Sequence, residues 1–269
     1  MKRKAAFFDI DGTLTSEKDG TVPDSVKRAV TEARKNGNLM FINTGRCFRY
    51  LEQRFMDIGF DGYICGCGTN IYTEENGKIT EFLHVQQNHD MAEMIYSHAR
   101  KFRLDLLFES KERLCFDPFR DLVTEKARMM NDEFRELWLD TNYDIERKDF
   151  VFDKFVIWFD DLNDIPEFCE VSDEYFSCID RGGNFREFVP LGYSKATGIQ
   201  AILDKYNIDI DSAYAFGDSN NDLPMLSYVP NSVAMGNSKP ESLKDSVSYV
   251  TADSSDDGIE KALRHFGFI

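Results

Sequence analysis

Short apolar runs alternate with helical patterns along the first third of the chain, and this alternation restricts the fold more than any other feature. Residues 4–10 form a strand of the type that is buried on both faces. A helical pattern over 23–37 leads to a second apolar run at 39–42. A helical stretch over 48–55 then leads to a third run at 63–65. The order βαβαβ predicts an α/β fold with a parallel sheet covered by helices.

A hairpin and a change of texture follow the third strand. Strands are predicted over 69–73 and 78–82, and the Asn76-Gly77 pair between them is a strong signal for a tight turn. We expect this hairpin at the edge of the sheet. From about 84 to 189, short strands, helical segments and charged connections indicate a separate α+β module, inserted into the chain that builds the sheet.

The alternation resumes after Pro190, where Ser194 is a candidate N-cap. The elements after it complete the interrupted sheet. They are a helix over 196–206, a strand over 213–216, a short helix over 223–226, strands over 232–235 and 248–250, and a closing helix over 258–266.

The charge balance limits the partners of the chain. Its 269 residues include 48 acidic and 32 basic side chains, which give a net charge of −16. This charge repels the phosphate backbone of nucleic acids, so we expect no nucleic-acid partner. The same repulsion acts on a phosphorylated metabolite. An anion site must therefore be made positive locally by a metal ion, a few cations or helix N-termini.

From the sequence we expect neither a secretory signal nor a membrane span. The first apolar run is interrupted by Asp9, and no apolar stretch reaches the roughly 20 residues needed to cross a bilayer. The six cysteines are scattered through a chain that is too long to need disulfides for stability, so we interpret them as reduced thiols. We therefore expect a soluble cytoplasmic protein without a membrane partner, as a monomer or homodimer.

Two carboxylates follow the first strand directly, in the motif Asp9-Ile10-Asp11-Gly12-Thr13. In an open α/β sheet, ligands bind outside the carboxyl ends of the strands, where these carboxylates would project. The motif alone leaves alternatives open, since it resembles part of a calcium loop and also a solvated turn that caps a helix. No acidic residue stands where the last ligand of a calcium loop belongs, which argues against calcium.

Three further motifs would reach the same edge of the sheet. Asn43-Thr44-Gly45-Arg46 ends the second strand. Lys195 opens the helix after the insertion, and the sequence Gly-Asp-Ser-Asn-Asn-Asp at 217–222 ends the next strand. Together these motifs supply carboxylates for a hard cation, a hydroxyl and amides for phosphate oxygens, and one fixed positive charge.

The four motifs, in this order and with a long insertion between the second and the third, resemble those of the haloacid dehalogenase superfamily, in particular its Cof-type branch with a type C2B cap. The resemblance extends over nearly the whole chain. It implies a Rossmann-like parallel core made of residues 1–82 and 190–269, with an inserted α+β cap over 83–189. It also implies a phosphoric monoester hydrolase, a phosphatase of small substrates such as sugar phosphates or phosphorylated cofactors.

The resemblance assigns catalytic roles. Asp9 would attack phosphorus and carry an aspartyl-phosphate, and Asp11 would protonate the leaving oxygen and then take a proton from water. Lys195 would pair with Asp9 and with the phosphoryl oxygens. Mg²⁺ would be held by the Asp9 carboxylate, the backbone carbonyl of Asp11 and Asp218.

The resemblance also implies residues that bind the substrate phosphate. Thr44, with Gly45 beside it, matches the hydroxyl residue that binds the transferred group, and Asn221 matches a polar residue that completes the phosphate or metal shell. Asp222 would orient the catalytic lysine or its own loop. Arg46 leaves two possibilities open, a contact with the substrate phosphate or a structural salt bridge.

Two features of the insertion bear on substrate choice. The sequence Arg-Gly-Gly-Asn-Phe-Arg at 181–186 is a candidate loop for anionic or hydroxylated ligands, although a hairpin whose arginines face solvent is the favoured alternative. Five aromatic residues are predicted to lie in the core of the insertion, an interpretation favoured over a platform that stacks on a ligand; they are Phe116, Phe119, Trp138, Phe155 and Trp158.

Two other functions are compatible with the motifs. A phosphomutase would share the nucleophile and the class of cap. A regulator that binds a metabolite without turnover would keep the fold. The intact set of Asp9, Asp11, Lys195 and Asp218 argues against such a regulator, because loss of one of them is the simplest route to lost catalysis.

Overall fold

The computed structural model describes residues 2–117, 121–139, 141, 145–160 and 165–269. The chain forms two compact units. The first consists of Met1–Gly45, Leu51–Leu83 and Tyr193–Ile269, and the second of Arg46–Tyr50 and His84–Gly192. Among the helices of the described ranges, none is long and apolar enough to cross a bilayer.

Strands and helices alternate much as the sequence predicts. The described strands are β1 Ala5–Phe8, β2 Leu39–Asn43, β3 Gly62–Cys65, β4 Asn70–Glu75, β5 Lys78–His84, β6 Asp105–Glu109, β7 Leu114–Phe116, β8 Lys154–Trp158, β9 Phe176–Asp180, β10 Phe185–Pro190, β11 Ala213–Ser219, β12 Asn231–Lys239 and β13 Tyr249–Val250. The described α-helices are α1 Asp24–Lys35, α2 Gln53–Met56, α3 His89–Lys101, α4 Glu125–Glu136, α5 Ile165–Ser172, α6 Lys195–Tyr206, α7 Leu223–Tyr228 and α8 Gly258–His265.

An eight-stranded sheet forms the centre of the first unit, in the order β13-β12-β11-β1-β2-β3-β4-β5. Neighbours from β13 to β3 pair in parallel, whereas β4 runs antiparallel to β3. The predicted edge hairpin joins β4 to the edge strand β5, with Asn76 and Gly77 at φ of 57° and 79°. This parallel-dominated sheet confirms the predicted α/β fold class.

The central strands are buried on both faces because their side chains are apolar. All four residues of β1 are buried, and Phe7 stacks on Phe41 of β2 with ring centroids 5.4 Å apart. The alanines and valines of α1 form its buried face. A capping box formed by Ser194 and Thr197 begins α6. Local sequence therefore fixes where the sheet and this helix start.

The continuous helix predicted over 48–55 is wrong. This segment forms a 3₁₀ turn at Phe48–Tyr50 and the short helix α2. Glu52 lies between them with an extended backbone at ψ of 146°. The two parts belong to different units, so apolar spacing that resembles one helix face serves two separate cores.

A five-stranded antiparallel sheet forms the centre of the second unit, in the order β7-β6-β8-β10-β9. One face packs against α3 and α5 through a cluster of aromatic rings, in which Phe155 stacks on Phe188 at a centroid distance of 4.6 Å. The opposite face packs against Phe134 of α4. Cys47, from the segment Arg46–Tyr50, is buried in this second cluster.

The aromatic residues predicted in the core of the insertion differ in burial. Phe116, Phe155 and Trp158 are buried. The prediction for Trp138 is wrong, because 91% of this residue is exposed. It follows the end of α4 with φ of 58°, a left-handed backbone that leaves the helix and turns the ring into solvent. Phe119 lies outside the described residues.

The candidate ligand loop at 181–186 spans the turn between β9 and β10. Arg186 donates to the Gly183 carbonyl at 2.9 Å and pairs with Asp180 at 2.9 Å. Arg181 is exposed, and its guanidinium lies 3.6 Å from Glu187. The segment thus forms the hairpin of the alternative, but only Arg181 faces solvent, since the Arg186 side chain is 15% exposed.

Candidate active site

The carboxyl ends of β1, β2 and β11 bring three of the predicted motifs to one edge of the sheet. β1 lies between β2 and β11 and is parallel to both. Asp9 follows β1, Thr44 follows β2, and Asp218 is the second-last residue of β11. Ligands of open α/β sheets bind at this edge.

Lys195 is buried between two carboxylates. Its Nζ lies 2.6 Å from Asp9 Oδ1 and 2.5 Å from Asp222 Oδ1, and its side chain is 1% exposed. Asn43 fixes the start of α6, because its Nδ2 donates to the Lys195 carbonyl at 2.9 Å. Burial alone would lower the pKa of Lys195, but the Asp222 and Asp9 carboxylates raise it, so this side chain is charged.

Three carboxylates converge around this ammonium. Ligand oxygens of Asp9, Asp218 and Asp222 lie within 4.8 Å of one another. Burial and the Asp222 charge raise the pKa of Asp9 to about 6, against the opposing effect of Lys195. Burial and the charges of Asp9 and Asp222 raise the pKa of Asp218 to about 8. A hard cation would relieve this repulsion, so the donor set fits a divalent ion that prefers oxygen ligands.

Asp222 differs from the other two carboxylates because protein donors occupy both of its oxygens. Oδ1 accepts from Lys195, and Oδ2 accepts from the backbone N–H groups of Asp218 at 3.0 Å and Ser219 at 3.1 Å. The residue is fully buried. Asp222 therefore holds the lysine and the loop after β11, and Asp9 and Asp218 are better placed as metal ligands.

The turn after β1 packs against Asp218. Gly12 has φ of 75°, and a Cβ atom there would lie 2.4 Å from Asp218 Oδ2, so only glycine fits. Thr13 Oγ1 donates to Asp218 Oδ1 at 3.1 Å. Asp11 is exposed, whereas Asp9 is 5% exposed. The two carboxylates of the motif thus occupy different environments.

The predicted substrate-binding residues are not all placed in the same unit. Thr44 is 2% exposed after β2, and Asn221 is 9% exposed in the 3₁₀ turn after β11. Both lie at the edge of the sheet that carries the carboxylates. Gly45 ends a segment of the first unit, whereas Arg46 belongs to the second. The Arg46 guanidinium stacks on the Tyr50 ring, 4.7 Å from its centroid, within its own segment.

Thr15 and Asn237 contact the turn after β1 but are not among the predicted site residues. Thr15 Oγ1 accepts from the Gly12 N–H at 3.2 Å, and Asn237 Nδ2 donates to the Gly12 carbonyl at 2.8 Å. Asn237 lies near the end of β12, the strand beside β11. A parallel strand is predicted over 232–235, and the position of Asn237 just after its carboxyl end is the sequence signal that could have indicated this residue.

Comparison with known proteins identifies the family. A model of the haloacid dehalogenase-like hydrolases matches residues 6–263. The chain belongs to this family. The membership that the four motifs predict is thereby confirmed, and the motifs at the edge of the sheet are those on which the resemblance rests.

Individual relatives of the haloacid dehalogenase-like hydrolase align over almost the whole chain. YkrA of Bacillus subtilis (strain 168), which carries a provisional phosphatase name, is 28% identical over 100% of both chains. YcsE of the same strain, a 5-amino-6-(5-phospho-D-ribitylamino)uracil phosphatase, is 23% identical over 98% of this chain and 95% of its own. The solved structure of the subclass IIB sugar phosphatase BT4131 is 25% identical, with a TM-score of 0.82 over 99% of this chain and 100% of its own. The predicted enzyme class, a phosphoric monoester hydrolase, agrees with these comparisons.

Proposed function

We propose that the chain is a Mg²⁺-dependent phosphatase that hydrolyses small phosphate monoesters through an aspartyl-phosphate at Asp9. The observation that carries this proposal is the buried Lys195, hydrogen-bonded to both Asp9 and Asp222. A buried carboxylate alone would repel an anionic substrate. The ammonium beside Asp9 offsets this repulsion and supplies positive charge for the phosphoryl oxygens.

The first step transfers the phosphoryl group to Asp9. Lys195 holds Asp9 Oδ1, so Oδ2 attacks phosphorus while the ester bond between phosphorus and the leaving oxygen breaks. Asp11 donates a proton to that oxygen, which departs as an alcohol. The exposure of Asp11 suits this role, because the leaving group must be able to reach it.

The second step restores the Asp9 carboxylate. Asp11, now ionised, takes a proton from a water molecule whose oxygen attacks phosphorus. The bond between phosphorus and the Asp9 oxygen breaks, inorganic phosphate leaves, and Asp11 holds the proton for the next cycle. Thr44 and Asn221 would donate hydrogen bonds to the phosphoryl oxygens in both steps.

Asp9, Asp218 and the backbone carbonyl of Asp11 would hold the Mg²⁺ ion, because oxygen ligands suit this hard cation. The ion, when bound, neutralises charge on the phosphoryl oxygens. The raised pKa values of Asp9 and Asp218 support this assignment, since they reflect burial and mutual repulsion of carboxylates that Lys195 offsets only in part.

The second unit is the proposed cap, which would select the substrate. The sequence predicts the insertion at 83–189, and the compact unit contains His84–Gly192 together with Arg46–Tyr50. YcsE is named for a phosphorylated ribityl compound and BT4131 as a sugar phosphatase, so we expect a sugar phosphate or a phosphorylated cofactor as substrate. The cytoplasmic location and the monomeric or homodimeric state stay predictions.

Asp9→Asn tests the proposal with p-nitrophenyl phosphate as substrate. The variant keeps the shape of the side chain but removes the nucleophile, so phosphate release should fall to the background rate. Asp19→Asn is the matched control, because Asp19 is an exposed aspartate ten residues further along the chain. EDTA should abolish the wild-type rate, and Mg²⁺ should restore it. Full activity of Asp9→Asn, or of the wild type in EDTA, contradicts the proposal.

A labelled sugar phosphate distinguishes the proposed function from its alternatives. Hydrolysis delivers the label to inorganic phosphate in water. Return of the label to another position of the sugar would instead indicate a phosphomutase. Calorimetric binding of a metabolite without turnover at saturating Mg²⁺ would indicate a regulator.

A further inference from the structure

The turn at Ile10–Leu14 is interrupted in its middle. Asp11 has ψ of 120° and Gly12 has φ of 75°, and neither value is helical. Peptide groups at such a break need partners other than the helix itself. At Gly12 these partners are side chains, since its N–H donates to Thr15 Oγ1 at 3.2 Å and its carbonyl accepts from Asn237 at 2.8 Å.

Asn237 joins this turn to the C-terminal part of the first unit. Its Nδ2 donates to the Gly12 carbonyl, and its Oδ1 accepts from the backbone N–H of Ser254 at 2.7 Å. Both partners are backbone groups of fixed polarity, so the orientation of the amide is determined. An aspartate could not donate to Gly12, and an alanine would lose both contacts.

Ser254, the anchor of Asn237, is itself held on its other side. It is 2% exposed, and its Oγ donates to Glu17 at 2.6 Å. Ser255 Oγ donates to the same carboxylate at 2.7 Å. The Ser254 hydroxyl, with the Ser255 contacts, lowers the pKa of Glu17 to about 2, so this carboxylate stays ionised at neutral pH. The amide of Asn237 therefore links the catalytic turn to a fixed point.

We propose that Asn237 is a positioning residue that holds the Asp11 side chain in the direction required for proton transfer. The inference rests on the proposed function, in which Asp11 exchanges protons with the leaving group and with water. Asp11 directly precedes Gly12, so the backbone that carries its side chain is continuous with the peptide group that Asn237 holds. Asn237 acts on the reaction through the backbone of Gly12.

Asn237→Ala tests this role through the leaving group of the substrate. A p-nitrophenyl group departs as a stable anion and needs little help from an acid, whereas an alkyl group needs a proton. The ratio kcat/KM reports the steps up to departure of that group. We expect kcat/KM to fall about 10-fold further for the best alkyl phosphate substrate than for p-nitrophenyl phosphate, a part of the roughly 10²–10⁴-fold that acid catalysis contributes.

The second step provides an independent measurement. Asp11 is also the base that activates water, so Asn237→Ala should slow breakdown of the aspartyl-phosphate. We expect a burst of p-nitrophenol in the first turnover that is larger than in the wild type, because the covalent intermediate accumulates. Absence of any increase in the burst, together with equal losses for the two substrates, overturns the positioning role.

Asn231→Ala is the matched control. Asn231 is also half-buried, and it lies at the opposite end of the same strand, β12. Its Nδ2 donates to the carbonyls of Asp211 and Ala213, both at 3.0 Å. This variant loses hydrogen bonds of a similar kind, but it should leave the ratio between the two substrates unchanged. A comparable change of that ratio in Asn231→Ala overturns the inference.

The comparison of substrates also separates this inference from folding and from the proposed function. A smaller folded fraction lowers both rates by the same factor, so it does not alter their ratio. Asp11→Asn should change the ratio in the same direction as Asn237→Ala. If the wild type releases no phosphate from any ester, the proposed function fails. If the wild type is active and Asn237→Ala loses both activities equally without a larger burst, only the positioning role fails.

Discussion

Gly68→Ala should destabilise the protein by more than its backbone conformation alone requires. Gly68 has φ of 92°, and alanine in a left-handed conformation costs about 1–2 kcal/mol. Its Cβ would also lie 2.3 Å from the carbonyl oxygen of Ser194, the N-cap of α6. Overpacking of this kind costs about 1–3 kcal/mol more. We expect a loss of about 2–5 kcal/mol in the free energy of unfolding, measured with urea.

Gly37→Ala isolates the contribution of this contact. Gly37 has φ of 87°, but a Cβ atom there would have no neighbour within 4 Å. The loss should therefore be about 1–2 kcal/mol, and the effect of alanine on the unfolded chain is common to both variants. Gly68→Ala should also lower kcat about 10–100-fold by displacing Lys195, which follows Ser194 directly. Equal losses of stability, with kcat unchanged in both variants, would refute the reasoning.

Two further predictions concern buried and exposed charge. Lys195→Met removes the ammonium between Asp9 and Asp222 and should lower the free energy of unfolding, measured in urea, by about 3–5 kcal/mol, because it leaves buried carboxylates unpaired. Lys205→Met on the same helix is the control and should lower it by less than about 1 kcal/mol. A similar loss in both variants would contradict the prediction. The pKa of Glu17 is about 2, below its usual 4.5, so its ionised form adds stability above pH 4.5 that is lost as the pH falls towards 2. Glu17→Gln should therefore lower the free energy of unfolding at pH 7. The loss should not exceed about 1 kcal/mol, because solvent screens this largely exposed carboxylate. The difference between wild type and variant should shrink at pH 3.5, and a difference that stays constant would disprove the prediction.

Much of the sheet could be predicted because short apolar strands joined by helices have few other arrangements. The parallel order then brings Asp9, Thr44 and Asp218 to one edge, whatever the lengths of the loops between them. Lys195 could be predicted to join them, because a capped helix begins beside it. These features depend on local sequence and on topology.

The features that could not be predicted depend on contacts between distant residues or on single backbone angles. The end of a predicted parallel strand indicates where Asn237 lies, but it does not indicate its partner, because the Gly12 carbonyl is a backbone group that every residue carries. Trp138 is exposed at a position with a left-handed φ just after α4, although large aromatic side chains are usually buried. The break within 48–55 arises because neighbouring apolar residues serve different cores, which periodicity cannot distinguish.

The segment Arg46–Tyr50 sets a condition for building chimeras from this protein. It belongs to the second unit, although the residues on both sides of it belong to the first, so the chain crosses between the units twice before it enters His84–Gly192. Cys47 is buried in a cluster with Leu107 and Trp158. A graft that exchanged only His84–Gly192 would leave this thiol facing foreign side chains. A transferable module must carry both pieces, so it must include the five residues that directly follow Thr44 and Gly45 in the sequence.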